Sequence, residues 1–188
     1  MKHLKRFLLL WAVLTLFMFA AGCDANWGTS ASDIVKLLIP AVAALLATLG
    51  TLGIPPSVLA DWNTWSAKAS SALTTVGELI AAYNTADASA QPGILGQIDS
   101  ALNALLTQFQ ALLSEVNVTN PKTQALWTEL ATDFAAELEA LLALIPVIKG
   151  EVTDHDEVLA RVTQLKSAKK FKEGFNKKLA ALAPGNKI

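Results

Sequence analysis

Residues 59–83 read LADWNTWSAKASSALTTVGELIAAY. Their apolar members Leu59, Trp62, Trp65, Ala69, Ala72, Val76, Leu79 and Tyr83 recur at steps of three and four residues. That period places one apolar stripe along an α-helix, with Asp61, Lys68 and Glu78 off it. A stripe sustained over three heptads needs apolar partners to cover it, and the chain repeats the pattern. Leu95, Ile98, Leu102, Phe109, Leu113 and Val116 form a second stripe, widened by Leu105, Leu106 and Leu112. Leu126, Leu130, Phe134, Leu138, Leu141 and Ile145 form a third. Val158, Val162, Leu165, Phe171, Phe175, Leu179 and Leu182 form a fourth, on what reads as one helix from Thr153 or Asp154 onward.

Punctuation separates these helices. Gly53, Pro55 and Pro56 stop a first helix, and the second starts after Ser57. Residues 84–93 read as a loop closed by Pro92-Gly93, and 117–120 as a turn. Asn120 before Pro121 is a strong start signal, because Asn caps the helix and Pro suits its first position. Pro146 is expected to end or kink the fourth helix, and Pro184-Gly185 ends the last. No stretch alternates with period two. The fold class is all-α: a bundle of about four to five antiparallel helices over residues 33–183, with 184–188 as a tail.

Its first helix, expected from about Asp33 to Leu52, differs from the others. Residues 37–54 carry no charge, which reaches the length where a membrane span becomes a candidate. Trp62 and Trp65 lie just beyond, as interface aromatics do. One reading makes this helix the buried centre of the bundle. Pro40, Gly50, Gly53, Thr48 and Thr51 favour it, as do four stripes in need of something to cover. The other makes Leu37, Leu38, Leu45, Leu46 and Leu49 a membrane-inserting face.

The amino-terminal segment decides the address. Lys2, Lys5 and Arg6 precede the uncharged run 7–20, too short for an ordinary span. Ala20-Ala21-Gly22 then leads to Cys23, the chain's one cysteine. A basic start, an apolar stretch and small residues mark a secretory signal. With the cysteine, the segment resembles a bacterial lipoprotein signal peptide and its lipobox, departing in Ala20 where Leu is commonest. The resemblance implies cleavage before Cys23, a thioether-linked diacylglyceryl group on its sulfur, an acyl group (palmitate-like) on the new amino terminus, and a protein held to membrane lipid in the cell envelope. Asp24 resembles a signal for retention at the inner membrane, facing the periplasm. Residues 23–32 then read as a polar lipidated tether.

Charge is divided along the chain. Residues 24–157 hold 15 acids and four bases, and residues 158–188 hold eight bases and one acid. Arg161, Lys166, Lys169, Lys170, Lys172, Lys177 and Lys178 make a basic patch, while Glu129, Asp133 and Glu137 form an acidic stripe at helical spacing. The patch reads as a solvated face lying near that stripe, or as a surface for anionic lipid or an acidic envelope partner. Overall the chain is 53% apolar and 16% charged, which excludes intrinsic disorder. No nucleic-acid module is present.

No catalytic motif appears: no H-E-x-x-H, G-x-S-x-G, phosphate-binding loop or dinucleotide fingerprint. Asp154-His155-Asp156-Glu157 is tempting as a metal site, but consecutive helical positions diverge, and acids at a helix start suit the dipole. The expectation is no enzyme, no metal and no cofactor. The chain reads as a lipid-anchored envelope bundle with a structural or interaction role, and alternatively as a membrane-active, pore-forming or lysis-related protein using residues 37–54.

Overall fold

A computed structural model describes residues 27–165 and 167–188 in full, and of residues 2–26 the helical backbone alone. The signal segment, Cys23, Asp24 and Lys166 therefore lie outside the described residues. The described chain is all-helical: α1 (Lys2–Thr51), α2 (Pro56–Tyr83), α3 (Gln91–Leu113), α4 (Pro121–Ile148), α5 (His155–Gln164) and α6 (Ala168–Leu182).

α4 meets four other helices and α1 three. α1 packs on α2, α4 and α6; α3 bridges α2 and α4; α4 also carries α5 and α6. Ile34, Val35, Leu38, Ala41, Val42, Leu45 and Leu49 of α1 are all within 1% of full burial. Its solvent side carries Thr29, Asp33, Lys36, Ala43, Ala47 and Gly50, with Pro40 half-buried on it and the helix continuous through that residue. α1 ends where Gly53 takes a left-handed backbone, φ 69°, a conformation that costs other residues their Cβ clearance.

The polar tether expected over 23–32 is part of the continuous helix α1, which does not begin at Asp33. Geometry explains the difference. Thr29 and Ser30 fall on the solvent side, while Ala31 is buried. Gly28 sits so close to Asn84 that a Cβ there would meet the amide at 2.8 Å. Trp27 meets Tyr83 edge-on at 5.3 Å. Small residues and one aromatic pair thus hold these two turns against the end of α2.

The expected loop 84–93 is shorter, because Gln91 and Pro92 already belong to α3. Pro lacks the N–H that a first turn leaves unpaired anyway. The Asp87 carboxylate accepts from the Ser89 hydroxyl at 2.6 Å and from the N–H groups of Ala90 and Ser89 at 2.9 and 3.0 Å, folding the turn that feeds α3. Asn120 caps α4 as expected, accepting from Lys122 and Thr123 N–H groups. Pro146 does not stop α4 at once; the helix runs to Ile148 and closes at Gly150, φ 71°.

The single carboxy-terminal helix is in fact two. Leu165 is extended, ψ 111°, and Ser167 starts a new helix by accepting from Lys170 N–H. Phe171, Phe175 and Leu179 of α6 are buried, as the stripe required, but α5 buries no residue. Val162, expected in the core, is 45% exposed.

An aromatic cluster joins α2, α3 and α4. Trp62 meets Trp65, Phe109 and Trp127 edge-to-face at 5.3–5.6 Å, and Phe134 closes on Phe109 at 4.9 Å. The Nε1 atoms of Trp62, Trp65 and Trp127 are buried without a hydrogen-bond acceptor.

Candidate functional site

Three regions carry the residues that the sequence singles out. The first is the apolar helix. Trp27–Thr51 is long and apolar enough to cross a membrane, with a mean hydropathy of 2.0 in its most apolar window. Leu38, Leu45 and Leu49 are fully buried against the other helices, and Leu37 and Leu46 are half-buried beside them. Thr48, also buried, turns its hydroxyl onto the Ala44 carbonyl at 2.7 Å, so its polarity is spent within the helix. Three of these five leucines are thus buried within the bundle, where α1 packs on α2, α4 and α6.

The second region is the basic end of the chain, which the fold splits. Lys178 reaches α4, donating to Asp133 Oδ2 at 2.8 Å with Glu129 Oε2 at 4.0 Å. The acidic stripe of α4 and the basic helix thus meet directly at this point. Glu137, the third acid of that stripe, is buried at 1% exposure. Arg161 is tied within α5 to Glu157 at 2.7 Å and donates to the Ala143 carbonyl of α4 at 3.3 Å. Lys169 lies 3.9 Å from Glu173 on the solvent side. Lys170, Lys172 and Lys177 are exposed. Of the six described members, Lys178 and Arg161 fasten helices to α4, and Lys169, Lys170, Lys172 and Lys177 lie exposed along α6.

The third region escaped sequence reading. A cleft of about 530 Å³ opens where α2, α3 and α4 end or begin, lined by Tyr83, Gln91, Pro92, Leu95, Ile148 and Glu151, with Ala88 and Lys149 at its edge. Its walls come from two segments far apart in sequence, 83–95 and 148–151, so no local motif announces it. Gln91 spans part of it, its amide donating to the Tyr83 and Ala86 carbonyls at 3.5 and 3.4 Å. The lining offers one carboxylate, Glu151, one cation, Lys149, and apolar side chains from Pro92, Leu95 and Ile148.

At α5, His155 and Asp156 are almost fully exposed, Nδ1 to Oδ1 3.8 Å, and the Asp154 carboxylate is used as a cap for Asp156 and Glu157 N–H groups. Among the described residues no three His, Cys, Asp or Glu side chains converge on a point where a metal ion would sit. No protein-family model, curated protein or solved structure matches this chain.

Proposed function

We propose that this chain is a lipid-anchored protein of the bacterial cell envelope whose helical domain, an antiparallel bundle around α1, serves a structural or interaction role. The observation that carries the reading is Ala20-Ala21-Gly22-Cys23 directly after a basic start and an apolar run. Lipid chains on Cys23 hold the domain at the membrane, since each buried CH₂ contributes ~0.8 kcal/mol and more than one chain makes the anchor stable. Asp24 supports the inner membrane, with the domain in the periplasm. The domain then needs no span of its own, and α1 is free to serve as core. No catalytic constellation competes with this role among the described residues.

Labelling cells with a palmitate analogue tests it. The native chain takes up label and fractionates with membranes; the Cys23→Ala chain takes up none and is released by lysis. An unlabelled native chain, or a mutant that stays on the membrane, removes the anchor from the proposal. Pull-down from solubilised envelopes, with and without Cys23→Ala, then identifies any partner held by the anchored domain.

Trp27–Thr51 supports a second reading, in which α1 leaves the other helices and enters the bilayer. Dye release from liposomes by the Cys23→Ala chain would favour it. Absence of release, with α1 amides protected from hydrogen exchange, leaves α1 as core.

A further inference from the structure

The cleft between 83–95 and 148–151 and the amino-terminal end of the bundle meet at one residue. Tyr83 lines the cleft, and its ring packs edge-on against Trp27 at 5.3 Å. Gly28 lies against the side-chain amide of Asn84, the residue after Tyr83. The cleft therefore sits at the end of the bundle from which the chain runs back to Cys23. Trp27 stands four residues beyond Cys23, and four residues reach at most about 14 Å however they are folded. Lipid chains on Cys23, the reading proposed above, thus hold this end of the bundle close to the bilayer surface. Trp27 and Tyr83 are of the side-chain types that favour that depth.

The cleft carries balanced charge. Lys149 and Glu151 line it together. Both are exposed, and among the described residues neither stands in an ion pair. Pro92, Leu95 and Ile148 add apolar surface beside them. An anionic ligand would be repelled by Glu151, and a cationic one by Lys149. A ligand that bears both charges next to a short apolar part satisfies the whole lining.

We propose that this cleft holds the headgroup of a zwitterionic membrane phospholipid, its phosphate paired with Lys149, its ammonium with Glu151, and its glycerol end against the apolar side chains. The volume, about 530 Å³, is in the range of small-molecule sites. Anchor and cleft share one end of the bundle, so a phospholipid of the same leaflet reaches the site without leaving the bilayer. That placement rests on lipidation of Cys23, whereas the match of charges does not. A held phospholipid gives the domain a second attachment beside its anchor and restricts how the domain turns on the membrane.

Native mass spectrometry of the full chain in a maltoside detergent tests the site, since one spectrum reads both the lipid on Cys23 and any phospholipid bound without a covalent bond. The chain is offered equal amounts of phosphatidylethanolamine and phosphatidylglycerol with the same acyl chains. It is expected to carry the first at least fivefold over the second. Lys149→Ala and Glu151→Ala should each lower the phosphatidylethanolamine adduct about fivefold, the worth of one exposed ion pair. Lys170→Ala, on α6, should leave it unchanged. Glu151→Lys should turn the preference to phosphatidylglycerol, a gain that a misfolded variant would not show. Equal adducts of the two lipids, or a preference blind to Lys149 and Glu151, overturns the site. Glycerophosphoethanolamine, the same headgroup without acyl chains, separates the sources: if it binds through Lys149 and Glu151 while the phospholipid does not, the cleft takes a free solute and the membrane assignment falls. A chain with no lipid mass on Cys23 that still selects phosphatidylethanolamine removes the anchor and supports the site. A lipidated chain without selectivity removes the site and keeps the anchor.

Discussion

At the scale of single residues, two side chains carry sharp consequences. Asp87 accepts from the Ser89 hydroxyl and from the Ala90 and Ser89 N–H groups, and these bonds, the Ser89 hydroxyl first, hold its carboxyl below the usual carboxylate range. A pKa lowered by folding means the carboxylate stabilises the fold above its unfolded pKa, and the gain is lost as pH falls through the folded value. Asp87→Ala should therefore melt below the native chain at neutral pH, and the gap should close in strong acid. Thermal melts at a series of pH values check the sign; a gap that widens in acid contradicts it. Trp65 is the second. Its buried indole N–H lacks an acceptor, so Trp65→Phe removes an unsatisfied donor along with some ring volume, and the two effects oppose. Urea unfolding should place Trp65→Phe within about 1.5 kcal/mol of the native chain, whereas Trp65→Ala should cost about 3–5 kcal/mol through the cavity it leaves.

At the scale of helices, stops and faces divide the predictions. Gly53 closes α1 with φ 69°, whereas Gly50 sits on the solvent side of α1 with nothing within 4 Å of an added Cβ. Gly53→Ala should destabilise by about 1 kcal/mol from the left-handed backbone. Gly50→Ala should stabilise by about 0.5–1 kcal/mol from helix propensity. Opposite signs for two neighbouring, chemically identical substitutions are measurable by chemical denaturation. Helices were legible wherever a stripe was long. α2, α3 and α4 stand where the three-and-four spacing put them, and Asn120-Pro121 marked the start of α4. The tether and the last helix were not. Gly28, Ala31 and Trp27 become helix through their fit to α2, a tertiary contact that local composition does not encode. The break at Leu165 hid inside a continuous apolar period, because Val158, Val162 and Leu165 keep helical spacing without being buried. On α2 the buried residues are Leu73 and Ile80 where the period named Ala72 and Leu79, which are half-buried beside them.

At the scale of the whole molecule, cohesion is uneven. α1, α2, α3, α4 and α6 share one apolar core, and α5 lies outside it. Native-state hydrogen exchange should find α5 amides opening first and α1 amides from Ile34 to Leu49 last, because local stability follows buried contact. Uniform protection would contradict this. Lys178 is a lesser tie between α6 and α4; Lys178→Ala should cost about 1 kcal/mol or less, falling with added salt. The cleft beside Tyr83 was invisible in sequence because its walls are assembled from two distant chain segments, 83–95 and 148–151. The contact of α1 with α6 has a consequence in the order of synthesis. A ribosome makes α1 before α6, so one flank of the greasiest helix stays uncovered until α6 emerges. A nascent chain is for that interval a client for holding factors and for any bilayer it meets. Deleting 168–188 should make that interval permanent: the truncated protein should aggregate or sediment with membranes in a cell-fractionation assay.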